Sequence, residues 1–213
     1  MASSTSYGDP DTRARILRAA WAMVAERGEQ TTIGDVAARA SVSRQAVYLH
    51  FGDRSGLLVA LVNHMDETLD LGESLAQVHA AADGVALVEA AMWLNTTFWA
   101  HVLPVAQVLE AAQHRDQDLG AAWRDRMRLR QATFRTMVQA LDSRGELAQE
   151  WTVDEAAATM YAVAHFDTWR ELVVELGWSD QQYVDAMSRL LRRSLVQGWS
   201  APDHPPRPVD RRS

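Results

Sequence analysis

The chain has no cysteine and no lysine among its 213 residues. The lack of cysteine excludes disulfides, thiolate metal ligands and thiol redox switches. All 21 basic residues are arginine, which we interpret mainly as a codon bias, although arginine also suits bidentate contacts with phosphate and guanine.

Long hydrophobic runs are also missing. The sequence has no apolar run of about 18 residues, and residues 1–10 lack the basic and then apolar segments of a secretory signal. We therefore expect no membrane span, no secretion and a cytoplasmic location. The hydrophobic fraction of 47% is enough for a buried core, in one large domain or two small ones.

Familiar catalytic motifs are missing too. The sequence contains no nucleophile-elbow pentapeptide, no phosphate-binding glycine loop and no His-Glu-x-x-His pair. His114-Arg115-Asp116 matches the protein-kinase triplet by its letters, but Ala121 occupies the position where a kinase needs asparagine. The seven histidines are scattered along the chain. We therefore predict that the protein is not an enzyme and has no cofactor and no metal site.

The net charge of −7 is distributed unevenly. Residues 1–54 contain seven arginines and six acidic residues, whereas residues 55–213 contain fourteen arginines and twenty-two acidic residues. An acidic body would repel DNA and orient a weakly basic head toward it. Ordinary solubilising surface charge explains the same distribution equally well.

Residues 32–58 contain the most informative pattern in the chain. They divide into two short helices joined by a tight turn, with a third helix directly behind. Thr32 is suited to cap the first helix and Ser43 the second, which should run to about Phe51, and Asp53 should cap the third. This layout is a helix-turn-helix, whose second helix reads base edges in the major groove of DNA.

Further features accompany this motif from residue 13 to about residue 60. They are the apolar face of the preceding helix, a glycine that stops it, a Tyr-x-x-Phe pair and a basic residue at the start of the fourth helix: Ile16, Leu17, Ala20, Val24, Gly28, Tyr48, Phe51 and Arg54. With them, the segment resembles the DNA-binding domain of the TetR family of bacterial transcriptional regulators.

The segment departs from the family pattern at three positions. Ser41 stands where the family usually has glycine in the turn, so it should adopt the turn conformation at a modest strain cost. Arg54 replaces the usual lysine and keeps its positive charge. Gly56 should weaken the first turn of helix four.

The resemblance and the helical positions together give the residues expected at DNA. Residues expected to contact phosphates are Thr32, Tyr48, His50 and Arg54. Behind the cap Ser43, the residues expected to face base edges are Arg44, Gln45 and Ala46. Arg44 is the candidate for reading guanine, whereas Ala46 can offer only a methyl contact.

Beyond residue 60 the pattern predicts an all-α chain. Helix four should continue to about Leu75. An apolar helix should cover 85–103, where Pro104 ends it and begins another helix that reaches about Gln113.

Three more helices complete a predicted total of about nine. A long amphipathic helix should stop near Gly145. The last two should cover 154–176 and the segment from its cap Ser179 to about Gln197.

These elements predict four regions. Residues 1–10 and 200–213 should be disordered, residues 11–56 should form the DNA-binding domain, and residues 57–199 should form a helical ligand-binding and dimerisation domain. The resemblance implies that helix four transmits ligand binding to the DNA-binding head.

The resemblance also implies a small-molecule pocket in the second domain. Seven of the eight tryptophans lie outside the head, and a few polar side chains among aromatic ones are typical of such a pocket. The candidates are Met92, Asn95, Trp99, Trp123, Met127, Phe134, Tyr161, His165 and Trp169. Alternatively, these side chains belong to the core, as aromatic and Met stripes at helical spacing usually do. The arginines at 124, 126, 128 and 130 are interpreted as a solvated helix face.

The last two helices carry long apolar stripes. These comprise Ala156, Met160, Val163, Phe166, Trp169, Tyr183, Met187, Leu190, Leu191 and Leu195. The stripes offer more apolar surface than one helix pair should bury, so we expect a homodimer through these helices. Such a dimer would read two half-sites of a pseudo-palindrome. Burial within one subunit is the alternative.

The function predicted from these observations is ligand-responsive regulation of transcription. The preferred form is a homodimeric repressor that a small hydrophobic or aromatic effector releases from its operator. An activator or a co-repressor-dependent regulator would share every one of these residues. An all-helical ligand-binding protein or enzyme without DNA binding is a further alternative, against which Arg44, Tyr48 and Arg54 argue.

Overall fold

The computed structural model describes residues 10–198, and this part of the chain is almost entirely helical. The helices are α1 Pro10–Arg27, α2 Ile33–Arg39, α3 Arg44–Phe51, α4 Arg54–Thr68, α5 Leu71–His79, α6 Gly84–Ala112, α7 Gln117–Ser143, α8 Val153–Val163, α9 Phe166–Trp169 and α10 Asp180–Leu195. Nine of them have at least seven residues, and 10–198 contain no strand beyond one isolated bridge. The all-α prediction of about nine helices is therefore confirmed. The disorder predicted for 1–10 and 200–213 falls outside the described residues, apart from Pro10, which begins α1.

The helix starts follow the predicted caps. The backbone N–H of Asp35 donates to Thr32 Oγ1 at 3.2 Å, and that of Ala46 donates to Ser43 Oγ at 3.1 Å. Asp53 and Ser179 cap α4 and α10 in the same way. Each cap satisfies one N–H that the first turn of a helix leaves without a partner. All four predicted caps are confirmed.

The turn between α2 and α3 depends on Ser41. This residue has a φ of 55°, in the left-handed region that glycine adopts most readily. The N–H of the next residue, Val42, donates to the carbonyl of Ala37 at 3.0 Å and closes the turn. The predicted strain at this serine is therefore present in the structure.

Helix four is shorter than predicted. α4 ends at Thr68, and a separate helix, α5, begins at Leu71. Asp70 between them has a φ of 46°, and aspartate is one of the few residues that adopt this left-handed conformation readily. Periodicity alone missed the break because apolar residues continue on both sides of it.

The break predicted at Pro104 is absent. α6 runs without interruption from Gly84 to Ala112 and holds Pro104 in its interior. A proline inside a helix removes the hydrogen bond to the carbonyl four residues earlier. That carbonyl belongs to Ala100, an exposed residue, so water can satisfy it. The prediction was wrong because it treated proline as a stop regardless of solvent access.

The helix predicted for 154–176 is broken into three pieces. α8 ends at Val163, the backbone is extended at His165, and α9 leads into a π-helical segment over Arg170–Glu175. His165 Nδ1 accepts a hydrogen bond from the N–H of Asp167 at 3.4 Å and so caps α9. The last helix also ends earlier than predicted, at Leu195.

The described residues form two compact units, 10–74 with 97–130 and 75–96 with 131–198. In the first unit, α1 buries the predicted face of Ile16, Leu17, Ala20 and Val24, and Val47 of α3 is fully buried. This division differs from the predicted domains 11–56 and 57–199, which remain a prediction about function.

The second unit buries most of the apolar stripes of its last helices. Seven of the ten stripe residues are buried: Ala156, Met160, Phe166, Trp169, Tyr183, Leu191 and Leu195. Met187 is half-buried. Val163 is also half-buried, and Leu190 is 50% exposed. The alternative of burial within one subunit therefore accounts for most of the stripe, and these residues cannot by themselves argue for a dimer.

Gly56 marks the closest approach between α3 and α4. A Cβ added to Gly56 would lie 2.1 Å from the carbonyl oxygen of Phe51, closer than any real contact of that kind. The obstacle is backbone and cannot rotate away. Gly56 therefore permits this approach, and the sequence-based view of it as a weak point in the helix is incomplete.

We predict that Gly56→Ala destabilises the protein despite alanine's higher helix propensity. A Cβ at Gly56 forces α3 and α4 apart, so the free energy of unfolding should fall by about 2 kcal/mol or more. Gly72→Ala is the control, since a Cβ there meets nothing within 4 Å. It should be neutral or stabilise by up to about 1 kcal/mol. Urea unfolding at one protein concentration measures both, and equal effects would contradict the close-approach argument.

Candidate nucleic-acid interface and ligand cavity

The exposed face of α3 carries four neighbouring side chains. Arg44 and Gln45 are exposed in its first turn, and Tyr48 and Leu49 follow one turn later with 50% and 59% of their surface exposed. Leu49 was not among the predicted DNA contacts. Its position four residues after Gln45 was the available signal, because residues four apart share a helix face.

Arg44 lies back against α2 in this structure. A Cβ on Gly34 would be 2.7 Å from Arg44 Nη2, so the bare backbone of Gly34 makes room for the guanidinium. The positive charges of Arg27 and Arg44 also face Asp35. To reach a base, Arg44 has to swing away from α2.

The two cap hydroxyls of the motif differ in what they can offer to a phosphate. Thr32 donates its hydroxyl proton to Asp35 Oδ2 at 2.7 Å. Hydrogen bonds from the Thr32 hydroxyl and backbone N–H lower the pKa of Asp35 below its ordinary value. Ser43 accepts from Ala46 and is exposed, so its hydroxyl can donate outward. The geometry favours Ser43 over Thr32 as a phosphate donor.

The other predicted DNA residues have mixed surroundings. Arg54 donates to the carbonyls of Thr31 at 3.3 Å and Glu29 at 3.1 Å, which joins the start of α4 to the turn after α1. His50 is half-buried beside the Phe51 ring and lines an open depression of about 540 Å³. Ala46 is half-buried. The predicted DNA-contact roles of all eight residues remain proposals.

The first unit also contains an apolar cavity of about 40 Å³. Its walls come from α4, α6 and α7, and include three of the predicted ligand residues, Trp99, Trp123 and Met127. Three charged side chains line this cavity, Asp66, Arg126 and Arg130. Asp66 forms an ion pair with Arg126. The Arg130 guanidinium carbon lies 4.4 Å from the centre of the Trp99 ring.

The other six predicted ligand residues pack within the second unit. Asn95 donates to the Tyr183 hydroxyl at 2.9 Å, and the Trp169 indole N–H donates to Thr96 Oγ1 at 2.7 Å, both out of contact with water. The rings of Phe134, Tyr161 and His165 contact one another edge to face, and Met92 is fully buried. Four of the six are buried, Tyr161 and His165 are half-buried, and the ligand-binding role predicted for all nine residues stays a prediction.

Only two of the four arginines of α7 lie on the solvated face that was predicted. Arg128 pairs with Asp125 and Arg124 is exposed, as expected. Arg126 and Arg130 instead line the cavity. The signal was available, because these two lie four residues apart on the same face as Trp123 and Met127.

A polar contact joins the start of α4 to the start of α7. The Ser55 hydroxyl donates to Asp116 Oδ2 at 2.5 Å, and the other carboxylate oxygen accepts from the N–H groups of Asp118 and Leu119. These donors, Leu119 first and Ser55 second, hold the pKa of Asp116 below its ordinary value, and the charge of Arg54 adds to the effect.

The structure of residues 10–198 also bears on metal binding and on insertion into a membrane. No group of three or more histidine and acidic side chains in this range is placed to hold a metal ion. None of the helices described here is both long enough and apolar enough to cross a membrane.

Comparison with known proteins agrees with the fold and the motif. A sequence model described as bacterial regulatory proteins of the tetR family matches residues 16–61. The HTH-type transcriptional regulator TtgR of Pseudomonas putida is 38% identical over 71 residues, which cover 33% of this chain and 34% of that protein. The chain belongs to the TetR family. Its match thus spans about a third of the length of this TetR-family relative.

Two further similarities extend beyond the head. An HTH-type transcriptional repressor of Mycobacterium tuberculosis is 33% identical over 130 residues, covering 54% of this chain and 66% of that protein. A transcriptional regulator from Saccharomonospora viridis in complex with choline has a TM-score of 0.77 at 18% identity, covering 89% of this chain and all of that one. The latter shows that the fold of that regulator extends over most of the chain.

We predict that Asp116 contributes to stability in a pH-dependent way. Because its pKa is lower in the folded protein, its contribution is present above the unfolded value of about 3.9 and is lost as the pH falls through the folded value. Asp116→Asn should therefore reduce the fall in the free energy of unfolding between about pH 5 and pH 3. Ser55→Ala, which removes one donor, should have a smaller effect. An unchanged slope in Asp116→Asn would contradict the prediction.

Proposed function

We propose that the protein is a DNA-binding transcriptional regulator. The observation that carries this proposal is the helix-turn-helix itself: α3 is capped, supported by buried Val47, and presents Arg44, Gln45, Tyr48 and Leu49 outward. A helix exposed in this way can enter the major groove, where arginine reads guanine and an apolar side chain contacts the thymine methyl group.

Phosphate contacts would position α3 on the duplex. Ser43 and Tyr48 have exposed hydroxyls that can donate to phosphate oxygens. Arg54 supports this surface from behind through its hydrogen bonds to the turn after α1. We propose Arg44, Gln45 and Leu49 as the base-reading residues, with Ala46 at their edge. Such a regulator works where the chromosome is, in the cytoplasm.

We propose that the protein acts as a homodimer. Three exposed apolar side chains of the second unit, Val174, Leu176 and Leu190, support an interface on the segment 170–195. Burying such side chains is worth about 1.5 to 3 kcal/mol each. A two-fold dimer would present two α3 helices to a pseudo-palindromic operator.

We propose that a small hydrophobic or aromatic effector controls DNA binding, with repression as the preferred mode. The cavity beside α4 supports this, because α4 begins directly after the recognition helix. Two solved proteins of similar fold carry related descriptions: one is a complex of SmeT with triclosan, and the other is a FadR from Bacillus subtilis in complex with stearoyl-CoA. Activation or co-repression requires only the opposite sign of coupling.

An all-helical enzyme or ligand carrier without DNA binding is the second candidate. The names of the related proteins, all transcriptional regulators, favour the DNA-binding role, as does the exposed polar face of α3. The selection experiment that follows separates the two candidates.

We predict that the purified protein selects a pseudo-palindrome from fragments of the genome that encodes it, at near-physiological salt. Arg44→Ala should change the base preference at one position of each half-site, at a cost of about 1 to 3 kcal/mol there. Tyr48→Phe removes an exposed hydroxyl proposed to contact a phosphate and should lower affinity for all sequences alike. Identical effects of the two variants, or no selected sequence, would contradict the base-reading role.

We predict that Leu190→Glu weakens the dimer. A carboxylate at this position would be buried without a partner, so the dissociation constant should rise at least about tenfold. Leu129→Glu is a matched control, since Leu129 is a similarly exposed leucine of α7, with 57% against 50% of its surface exposed. Sedimentation velocity over a concentration series measures both. Equal weakening by the two variants, or a wild-type monomer, would contradict the proposed interface.

A further inference from the structure

Gly34 and Arg44 contact each other across the turn between α2 and α3. Gly34 is the second residue of α2, and Arg44 is the first residue of α3. The three atoms nearest to a Cβ added at Gly34 all belong to the Arg44 guanidinium: Nη2 at 2.7 Å, Nε at 3.0 Å and Cζ at 3.1 Å. Ordinary contacts of a Cβ begin at 3.4 Å. A side chain at residue 34 and the Arg44 guanidinium therefore cannot occupy their places together.

Asp35 adds an electrostatic attraction to this contact. Its carboxylate accepts hydrogen bonds from Thr32 and pairs with Arg27 at 3.0 Å, and the positive charge of Arg44 acts on it as well. The Asp35 side chain is 27% exposed, and Arg44 is also exposed. Attraction between charges that water reaches is weak. The position of Arg44 against α2 is therefore one that a stronger partner can replace.

A guanine base is such a partner. The guanidinium donates two parallel hydrogen bonds to guanine, and a bidentate contact of this kind is stronger than attraction between exposed charges. One guanidinium cannot lie on Gly34 and reach a base in the major groove at once. When only a fraction of the molecules is ready to bind, the apparent dissociation constant is the intrinsic one divided by that fraction. The contact with Gly34 should therefore weaken DNA binding.

We propose that Gly34 limits DNA affinity by giving the Arg44 guanidinium a resting position against α2, which the contact with guanine has to replace. Gly34 is a positioning residue in this role, because it acts on DNA only through Arg44. The inference rests on the proposed function, since the resting position matters for DNA only where Arg44 reads a base. The contact between Gly34 and Arg44 can be tested without DNA.

A double-mutant cycle tests the effect on affinity. Binding to the selected pseudo-palindrome is measured for the wild type, Gly34→Ala, Arg44→Ala and the double variant, at a salt concentration low enough for Arg44→Ala to bind. Alanine has a higher helix propensity than glycine, so α2 should form. Gly34→Ala should bind at least about threefold more tightly than the wild type, because more molecules have Arg44 free to reach a base.

The Arg44→Ala background is the matched control for the added methyl group. There, Gly34→Ala should leave the affinity unchanged, because no guanidinium remains to be displaced. Unchanged or weaker binding by Gly34→Ala, or an equal gain with and without Arg44, would overturn the proposal.

Asp35→Asn weakens the resting contact without adding an atom at Gly34. The asparagine oxygen can still accept from Thr32, so the cap of α2 can form. Loss of the negative charge should raise DNA affinity even without Arg44, because Asp35 repels phosphate. The gain should be larger where Arg44 is present. This variant decides the question if Gly34→Ala folds poorly, and equal gains in the two backgrounds would overturn the proposal.

Nitrogen-15 relaxation of the arginine Nε–H groups measures the resting contact in the free protein. The signals of Arg44 and of Arg18, an exposed arginine of α1, are those that disappear in Arg44→Ala and Arg18→Ala. On the picosecond to nanosecond timescale, Arg44 should be more restricted than Arg18. Gly34→Ala should remove this difference. Equal mobility of the two arginines in the wild type would overturn the resting position.

The two measurements separate this inference from the proposed function. If the protein selects DNA but Gly34→Ala gains no affinity, the proposed function stands and the role of Gly34 is wrong. If Gly34→Ala releases a restricted Arg44 but the protein selects no DNA, the resting contact is real, whereas the proposed function and the limit on affinity are both wrong.

Discussion

The carbonyl oxygen of Phe51 approaches the backbone of Gly56 so closely that no side chain fits between them. Because this contact is between backbone atoms, it fixes the angle at which α4 leaves α3. Arg54 adds hydrogen bonds from the same turn of α4 to the carbonyls of Thr31 and Glu29. The recognition helix is thus coupled directly to the first turn of α4, and a displacement of α4 displaces the residues proposed to read DNA.

The two sides of α4 are held by different kinds of interaction. Toward the head, buried Leu57, Leu58 and Leu61 contribute to a close-packed core, which responds to distortion with a large loss of stability. Toward α7, polar contacts at Ser55 and Asp66 accompany the packing around a small cavity. The proposed effector cavity lies at this α4–α7 contact.

Local chemistry explains what could be predicted from sequence. The caps at Thr32, Ser43, Asp53 and Ser179 depend on residues within one helical turn, so their spacing was sufficient. The uninterrupted course of α6 through Pro104 depends on how the rest of the chain surrounds this helix, which requires the tertiary structure. The prediction merged α4 and α5 into one helix and divided α6 into two. These two errors cancel in the number of helices, so the correct total hides wrong helix ends.

Sequence spacing does not distinguish aromatic residues that line a pocket from those that pack in the core. The hydrogen bonds that these residues make in the structure help to distinguish them. A ligand that displaced Tyr183 from Asn95, or Trp169 from Thr96, would leave buried polar groups unpaired. Each such loss costs about 1 to 3 kcal/mol before any contact with the ligand is gained. Around Trp99, Trp123 and Met127, the proposed effector would instead occupy space that is already partly empty. Entry of the proposed effector should therefore cost less beside α4, which is the helix that begins directly after α3, the proposed recognition helix.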